Sequence, residues 1–301
     1  MVTRTAQEWE DRFRSWAGGP GDTELERCEN AERMIRKAID NSATLKALNI
    51  EVFAQGSFRN ITNISQESDV DVSVCLRQAM FYELPDNTTL ADFNIEPTDL
   101  EYESYRQAVT DALIAYFGRD GVTVGNKAIR IHSNTYRVDA DVVPNWEFRQ
   151  YFDAANPTNY RAGVRFWSVD GKMITNYPKQ HIEKGIEKNG RTSKRFKRMA
   201  RILKTLQVEM LDEGIIKNRL PSFLIESLVY NVLDDQFGSS SYRSDVWAVL
   251  AHVFNNTRPM DDCSKWLEVN DVKYLFHPTQ PWTKEQAHAF VSAAWDYLDF
   301  E

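Results

Sequence analysis

Hydrophobic and polar positions follow two different periods along this chain, and the period changes near residue 178. Over residues 69–76 they alternate one by one: Val70, Val72, Val74 and Leu76 fall on one face, and Asp69, Asp71, Ser73 and Cys75 on the other, which predicts a strand. A second alternating run covers 136–143. There Asp139, Asp141 and Val143 share one face, Val138, Ala140 and Val142 share the other, and Pro144 is expected to end the strand. Shorter strands are expected at 51–54 and 128–132, and a hairpin at 163–175 turning on Asp170-Gly171. Helical spacing dominates elsewhere. A long amphipathic helix is predicted over 22–48, with Thr23 and Glu26 as its capping box. Another is predicted over 101–117, with Tyr105, Val109, Leu113 and Tyr116 inward. Residues 59–63 and 81–98 read as loops. Beyond 178 the pattern is helical to the end, apart from a Pro-, Gly- and Asn-bearing stretch near 255–282. The order predicts an α+β lobe, residues 1–170, followed by an α-helical lobe, residues 171–301.

Composition narrows the class. A chain of 301 residues holds one large domain or two lobes. Its 42% hydrophobic and 27% charged residues exclude wholesale disorder. With 44 acidic against 36 basic residues the net charge is −8, which argues against a dedicated nucleic-acid binder. No stretch approaches the roughly 18 uncharged apolar residues of a membrane span. Glu8 arrives too early for a secretory leader. Cys28, Cys75 and Cys263 are too few and too scattered for a disulfide framework or a four-cysteine zinc site. The expectation is a cytoplasmic enzyme.

Three carboxylates carry the candidate chemistry. Asp69 and Asp71 project from one strand face, and Asp141 from a second strand. Neighbouring like charges repel unless solvated or neutralised by a cation. Aspartate oxygens suit Mg²⁺, and two such ions can clamp the attacking and leaving oxygens of a phosphoryl transfer. By itself the Asp69/Asp71 face reads equally as a solvated surface. Gly56-Ser57, twelve residues before Asp69, adds a turn where backbone and hydroxyl can approach a phosphate. Residues 184–204 hold nine Lys or Arg and one acid, Glu187. On a helical wheel Lys194, Lys197, Arg198, Arg201 and Lys204 form one stripe, opposite Phe196, Met199, Ala200, Leu203, Leu206 and Met210. That stripe is either a solvated face or one that meets a triphosphate. Leu220-Pro221-Ser222-Phe223 opens a further helix, whose N-terminus favours an anion. His132 and His181 lack Cys or His partners at ligand spacing and read as hydrogen-bonded structural residues.

Gln55-Gly56-Ser57-Phe58-Arg59-Asn60, Ser68-Asp69-Val70-Asp71 and Asp139-Ala140-Asp141-Val142-Val143-Pro144 resemble the DNA polymerase β-type nucleotidyltransferase superfamily. Within it the chain is most similar to the bacterial cGAS/DncV-like nucleotidyltransferases. The likeness continues through Tyr177-Pro178-Lys179-Gln180-His181, Lys188-Asn189, Arg195-Phe196-Lys197-Arg198, Arg201-Ile202-Leu203-Lys204 and Leu220-Pro221-Ser222-Phe223-Leu224. It implies a polymerase β-like lobe with a mixed β-sheet, a helical lobe behind it and an active site in the cleft between them. It implies that Asp69, Asp71 and Asp141 are catalytic and hold two Mg²⁺ ions, or Mn²⁺ in their place. Gln55, Gly56 and Ser57 would cradle the donor triphosphate. Lys204 would bind it as a point charge, joined by Lys197, Arg201 and Ser222, with Phe223 stacking on a base. The chain departs from the family at Lys184, where a small polar residue such as asparagine is expected before Gly185, a change that bears on nucleotide preference.

The implied reaction joins nucleoside triphosphates into a cyclic di- or trinucleotide second messenger with release of pyrophosphate. The implied setting is bacterial anti-phage (CBASS) signalling through a separate effector protein that the product activates. No membrane, template or nucleic-acid primer is expected. Three rivals share parts of this constellation: an RNA-tailing nucleotidyltransferase, a non-catalytic nucleotide-binding module on the same fold, and transfer to a small molecule or protein. The acidic charge counts against the first, and the full set of three aspartates against the second.

Overall fold

The computed structural model of the chain describes residues 4–65 and 69–300; Ser68 of the Ser68-Asp69-Val70-Asp71 motif lies outside them. In chain order the helices are α1 (Ala6–Trp16), α2 (Asp22–Asp40), α3 (Gly56–Asn60), α4 (Tyr102–Phe117), α5 (Pro178–Arg191), α6 (Arg195–Asp212), α7 (Ser222–Tyr230), α8 (Tyr242–Thr257) and α9 (Lys284–Tyr297). The strands are β1 (Ile50–Gln55), β2 (Val70–Glu83), β3 (Val122–Val124), β4 (Ile129–Ile131), β5 (Ala140–Tyr151), β6 (Tyr160–Trp167) and β7 (Met173–Asn176). The chain is α+β, and it divides into two units. One comprises residues 21–58 and 68–178; the other, 1–20, 59–67 and 179–301. The division therefore differs from a single cut at 170/171. The N-terminal segment and the stretch after Phe58 both belong with the helices.

The first unit is built on one mixed sheet. Its strand order is β1-β2-β5-β4-β3, with β6 beside the far half of β5 and β7 beside β6. β2 and β5 run parallel, and the other pairings are antiparallel. Val70, Val72, Val74, Ile129, Ile131, Ala140 and Val142 form a core with Cys28, Ile35 and Ile39 of α2 and Val109 and Leu113 of α4. The alternation read from sequence thus turns one sheet face toward two helices and leaves Asp71, Arg130 and Asp141 on the other.

Several elements differ from expectation for local reasons. α2 stops at Asp40, because Asn41 caps it and Ser42 accepts the Leu45 N–H at 3.3 Å, starting a tighter turn. Its N-cap is Gly21, so the Thr23/Glu26 capping box does not form. Pro144 does not end β5. On that edge β4 pairs through Val142 and β6 only from Trp146, so the proline falls in the gap, where a missing donor breaks no ladder bond. β2 continues to Glu83 past an irregularity between Leu76 and Met80, which destroys the period-2 pattern; beyond it Phe81 stacks on Trp146 at 4.8 Å. Ser73 and Cys75 are buried, with Ser73 hydrogen-bonded to Asn145, so the polar face of β2 is not solvated along its length. Tyr116 is exposed. The 163–175 hairpin forms, with Gly171 at φ +80° in its turn.

In the second unit α1, α6, α7, α8 and α9 share a core that includes Trp9, Phe13, Phe196, Met199, Leu203, Leu224, Val246 and Phe290. α1 was not anticipated. Thr5 and Glu8 form its capping box, and Trp9 and Phe13 are its buried stripe. Cys28, Cys75 and Cys263 are all buried. Among the described residues no helix is long and apolar enough to cross a membrane.

Candidate active site

Backbone register sets the carboxylates. Asp71 on β2 lies directly opposite Asp141 on the parallel strand β5, and Asp141 lies opposite Arg130 on β4. Gln55, the last residue of β1, faces Asp71 from the other side. One row, Gln55–Asp71–Asp141–Arg130, therefore crosses four strands on the face opposite α2 and α4. Asp69 and Asp139 precede the aspartates of this row by two residues, each immediately before its parallel strand begins. Val70 and Ala140, between them, are also in register. The result is a two-by-two grid of carboxylates with one guanidinium beside it.

That guanidinium is engaged. Arg130 Nη2 donates to Asp69 Oδ2 at 2.8 Å and to Asp139 Oδ2 at 2.9 Å. Asp139 Oδ1 also accepts the Ser133 N–H at 2.5 Å. Burial pushes the Asp139 carboxyl up, but the Arg130 and Ser133 hydrogen bonds outweigh it and hold the group below its usual range. Asp141 is shifted the other way. Desolvation raises it most, the Asp69 and Asp139 charges add to the rise, and Arg130 opposes it.

Gly56 closes the grid from the β1 side. It begins α3 at φ +66°, and a Cβ there would run into Asp71 Oδ2 and lie 3.1 Å from its Cγ. Only glycine lets this turn pack against the carboxylate. Ser57 follows as the second residue of α3, which runs on to Asn60 into the 59–63 stretch expected as a loop.

The donor set suits a hard divalent cation: oxygen ligands only, four carboxylates against one guanidinium, and a backbone turn pressed onto one of them. Asp69, Asp71 and Asp141 would hold it. As placed, however, no three acidic, His or Cys side chains among the described residues converge into a ligand set, and Asp69 is bound to Arg130. The sequence grouped these three aspartates but gave no account of the arginine.

In the helical unit the predicted phosphate ligands separate into two kinds. Lys204 is 1% exposed, and its Nζ donates to Thr62 O at 3.0 Å and to Glu226 Oε2 at 3.2 Å. Glu226, itself 2% exposed, also accepts from Thr62 Oγ1 at 2.6 Å and pairs with His181 Nε2 at 2.9 Å. Its burial pushes the carboxyl up, but the Lys204 charge and the His181 and Thr62 hydrogen bonds more than offset this and hold it far below its usual value. The Arg201 guanidinium is buried on the carbonyls of Ala17 and Ile61. Lys204 and Arg201 thus bind segment 59–65 and α1 rather than present a charged stripe. Four more cations of the block are ion-paired: Lys188 and Arg191 meet Asp234, Arg195 meets Asp245, and Lys184 meets Glu187, while Arg198 donates to the Tyr242 hydroxyl and Lys194 is exposed.

Lys197 differs. It is buried, yet among the described residues its ammonium has no hydrogen bond or ion pair. Desolvation lowers its pKa most, Glu226 opposes this, and the nearby Arg201 and Arg59 charges lower it further. A desolvated cation beside two others favours an anion. Arg59 is exposed, two residues after Ser57 on the same helical turn. Ser222 heads α7 as predicted, and Phe223 lies edge-on to His181 at 5.3 Å and against Trp282 at 6.0 Å. His132 hydrogen-bonds Thr123, and His181 serves Glu226, so both histidines are structural. Sequence reasoning missed Arg130 and Glu226 although each left a trace. Arg130 alternates between Ile129 and Ile131, on the aspartate side, and Glu226 interrupts the apolar run 224–229.

The profile of the cGAS/DncV-like nucleotidyltransferase C-terminal helical domain matches residues 183–299. The chain is 37% identical to a cyclic dipyrimidine nucleotide synthase CdnE from Cecembia lonarensis, over 98% of this chain and all of that protein. It is 38% identical to a cyclic dipyrimidine nucleotide synthase CdnE from Legionella pneumophila, over 97% of this chain and 98% of the other. The structure of the Rhodothermus marinus CdnE c-UMP-AMP synthase with Apcpp and Upnpp superimposes with a TM-score of 0.86 at 28% identity, covering 96% of both chains.

Proposed function

The chain belongs to the cGAS/DncV-like nucleotidyltransferase family, and from this we propose that it condenses two nucleoside triphosphates into a cyclic dinucleotide, releasing two pyrophosphates. The names of the two sequence relatives support pyrimidine nucleotides as the building blocks. The observation that carries the reading is the carboxylate grid with Gly56 packed onto Asp71. A phosphate-approaching turn and a cation-binding acid cluster then share one strand end.

In the proposed reaction a ribose hydroxyl attacks the α-phosphorus of a second nucleotide, and the bond to its pyrophosphate breaks. A repeat within the linear intermediate closes the ring. Asp69, Asp71 and Asp141 would hold Mg²⁺, which supplies Lewis-acid stabilisation of the phosphoryl oxygens. Asp141, in register with Asp71, is the carboxylate we assign to accept the proton of the attacking hydroxyl. The backbone and hydroxyl of Gly56-Ser57 orient the triphosphate. Lys197 and Arg59 are the cations we assign to it, and Lys204 and Arg201 hold the segment that follows Ser57. Ser222 and Phe223, at the start of α7, are assigned to the triphosphate tail and to a base. We assign the product the role of a signal to a separate effector in anti-phage defence.

The test is incubation with the four ribonucleoside triphosphates and Mg²⁺, then phosphatase and mass spectrometry. The expected product resists phosphatase and has the mass of two linked pyrimidine monophosphates less the water of ring closure. Extension of an added RNA primer, or a phosphatase-sensitive ladder, would defeat the reading in favour of RNA tailing.

A further inference from the structure

We propose that Arg130 is the resident counter-ion of the carboxylate grid, holding Asp69 until a divalent cation takes that carboxylate over. The inference rests on the metal-dependent reading of the same site and concerns a residue with no place in that reaction so far.

Asp71 and Asp141 sit in direct register on two adjacent parallel strands, and Asp69 and Asp139 stand two residues before them, just ahead of each strand, so like charges crowd one strand end. Arg130 is positioned to relieve this. It stands on the next strand, in register with Asp141, and its Nη2 bridges Asp69 and Asp139 at 2.8 and 2.9 Å. The two contacts are unequal. Asp139 is 28% exposed and also held by the Ser133 N–H, whereas Asp69 is 50% exposed and, among the described residues, has Arg130 as its hydrogen-bond partner. Asp139 is therefore the fixed end of the bridge and Asp69 the exchangeable one. An exposed ion pair is weak enough to yield to a divalent cation. Arg130 would then remain on Asp139, close to the site but outside it.

This arrangement has two opposed effects. Without a cation Arg130 stabilises the strand end. In the presence of one it competes for Asp69 and places a like charge nearby, so affinity is lower than the four carboxylates alone would give.

The experiment uses the full chain without nucleotide. Mn²⁺ binding is measured by electron paramagnetic resonance for the native protein, R130Q, R130K, D69N and D69N/R130Q, together with Tm in chelator and in saturating Mn²⁺. The expected result is that R130Q binds Mn²⁺ on the order of tenfold more tightly. It should also have a lower Tm in chelator and a larger rise on adding Mn²⁺. R130K should lie between R130Q and the native protein, and the tightening should vanish when Asp69 is already Asn. Unchanged or weaker Mn²⁺ binding by R130Q overturns the proposal, as does equal tightening in the D69N background or an absence of Mn²⁺ binding altogether. Failure of the cyclase reading is separable: turnover would be missing while Mn²⁺ binding still responded to R130Q.

Discussion

Gly56 and Asp71 pack so closely that no side chain fits between them: a Cβ on the glycine would overlap the carboxylate oxygen. The turn proposed to orient phosphate and the acid proposed to hold the metal are thereby fixed to each other within one unit. Gly56→Ala must either move Asp71 or abandon φ +66°, a conformation that costs roughly 1–2 kcal/mol for a residue with a Cβ. The expected outcome is at least a hundredfold fall in kcat/KM with a Tm loss of only a few degrees, read by steady-state kinetics and calorimetry. Near-native turnover would show that the contact has no functional weight.

Asp71→Asn and Asp141→Asn are expected to abolish nucleotide turnover while leaving Tm in chelator unchanged or slightly higher. Each removes a charge from a pair in direct register. A large drop in Tm would instead mark these carboxylates as structural.

Lys197 and Lys204 lie two helical turns apart on α6 and should behave differently. Lys197→Ala removes a cation that has no ion-pair partner among the described residues, so we expect a raised KM for nucleoside triphosphate, about 10- to 150-fold, with little change in Tm. Lys204→Met leaves Glu226 buried beside His181 and Thr62 without its ammonium, a loss of about 3–5 kcal/mol of stability. Chemical denaturation alongside Michaelis kinetics separates the two. A selective KM effect in the Lys204 variant would return that residue to the triphosphate.

Glu226 should make the fold acid-sensitive. Desolvation opposes its charge, but Lys204, His181 and Thr62 win, so its folded pKa lies below the usual 4.5. A depressed carboxylate contributes stability that is fully present above 4.5 and is lost as the pH falls toward the folded value. Denaturant midpoints measured from pH 6 to pH 3 should therefore fall more steeply below 4.5 for the native protein than for Glu226→Gln. Parallel curves would contradict the assignment.

The two aspartate-bearing strands were legible because one face of each is apolar and the other polar, the hairpin because Asp170-Gly171 marks its turn, and the mixed sheet through the resemblance. Asp69 and Asp71 came out on one face of their strand, and Asp139 and Asp141 on one face of theirs, by the alternation alone. What was not legible depended on partners distant in sequence. The basic stripe of α6 looked like a surface, because a helical wheel shows which residues share a face but not that Glu226, Thr62, Ala17 and Ile61 accept from it. Pro144 looked like a terminator because the gap between two neighbouring strands is a property of the sheet, not of the strand. The resemblance put Lys204 first among the phosphate ligands, and its hydrogen bonds to Thr62 and Glu226 are contacts that no local pattern displays.

The helical unit draws on three separate stretches, 4–20, 59–65 and 179–300, and the sheet-bearing unit on the two stretches between them. No single cut yields two self-sufficient halves. A fragment starting at 179 would lack the Trp9 and Phe13 stripe that completes its core and the Thr62 that binds Lys204 and Glu226. Its buried charges would be left without part of their hydrogen-bond shell. The helical unit must therefore assemble from segments more than a hundred residues apart, a high-contact-order task that links its folding to synthesis of the whole catalytic sheet. Exchange of parts between relatives is constrained in the same way. A transplanted C-terminal half would need its own matching 59–65 loop, which runs directly on from Gly56-Ser57, so the phosphate turn and the helical unit are expected to be inherited together.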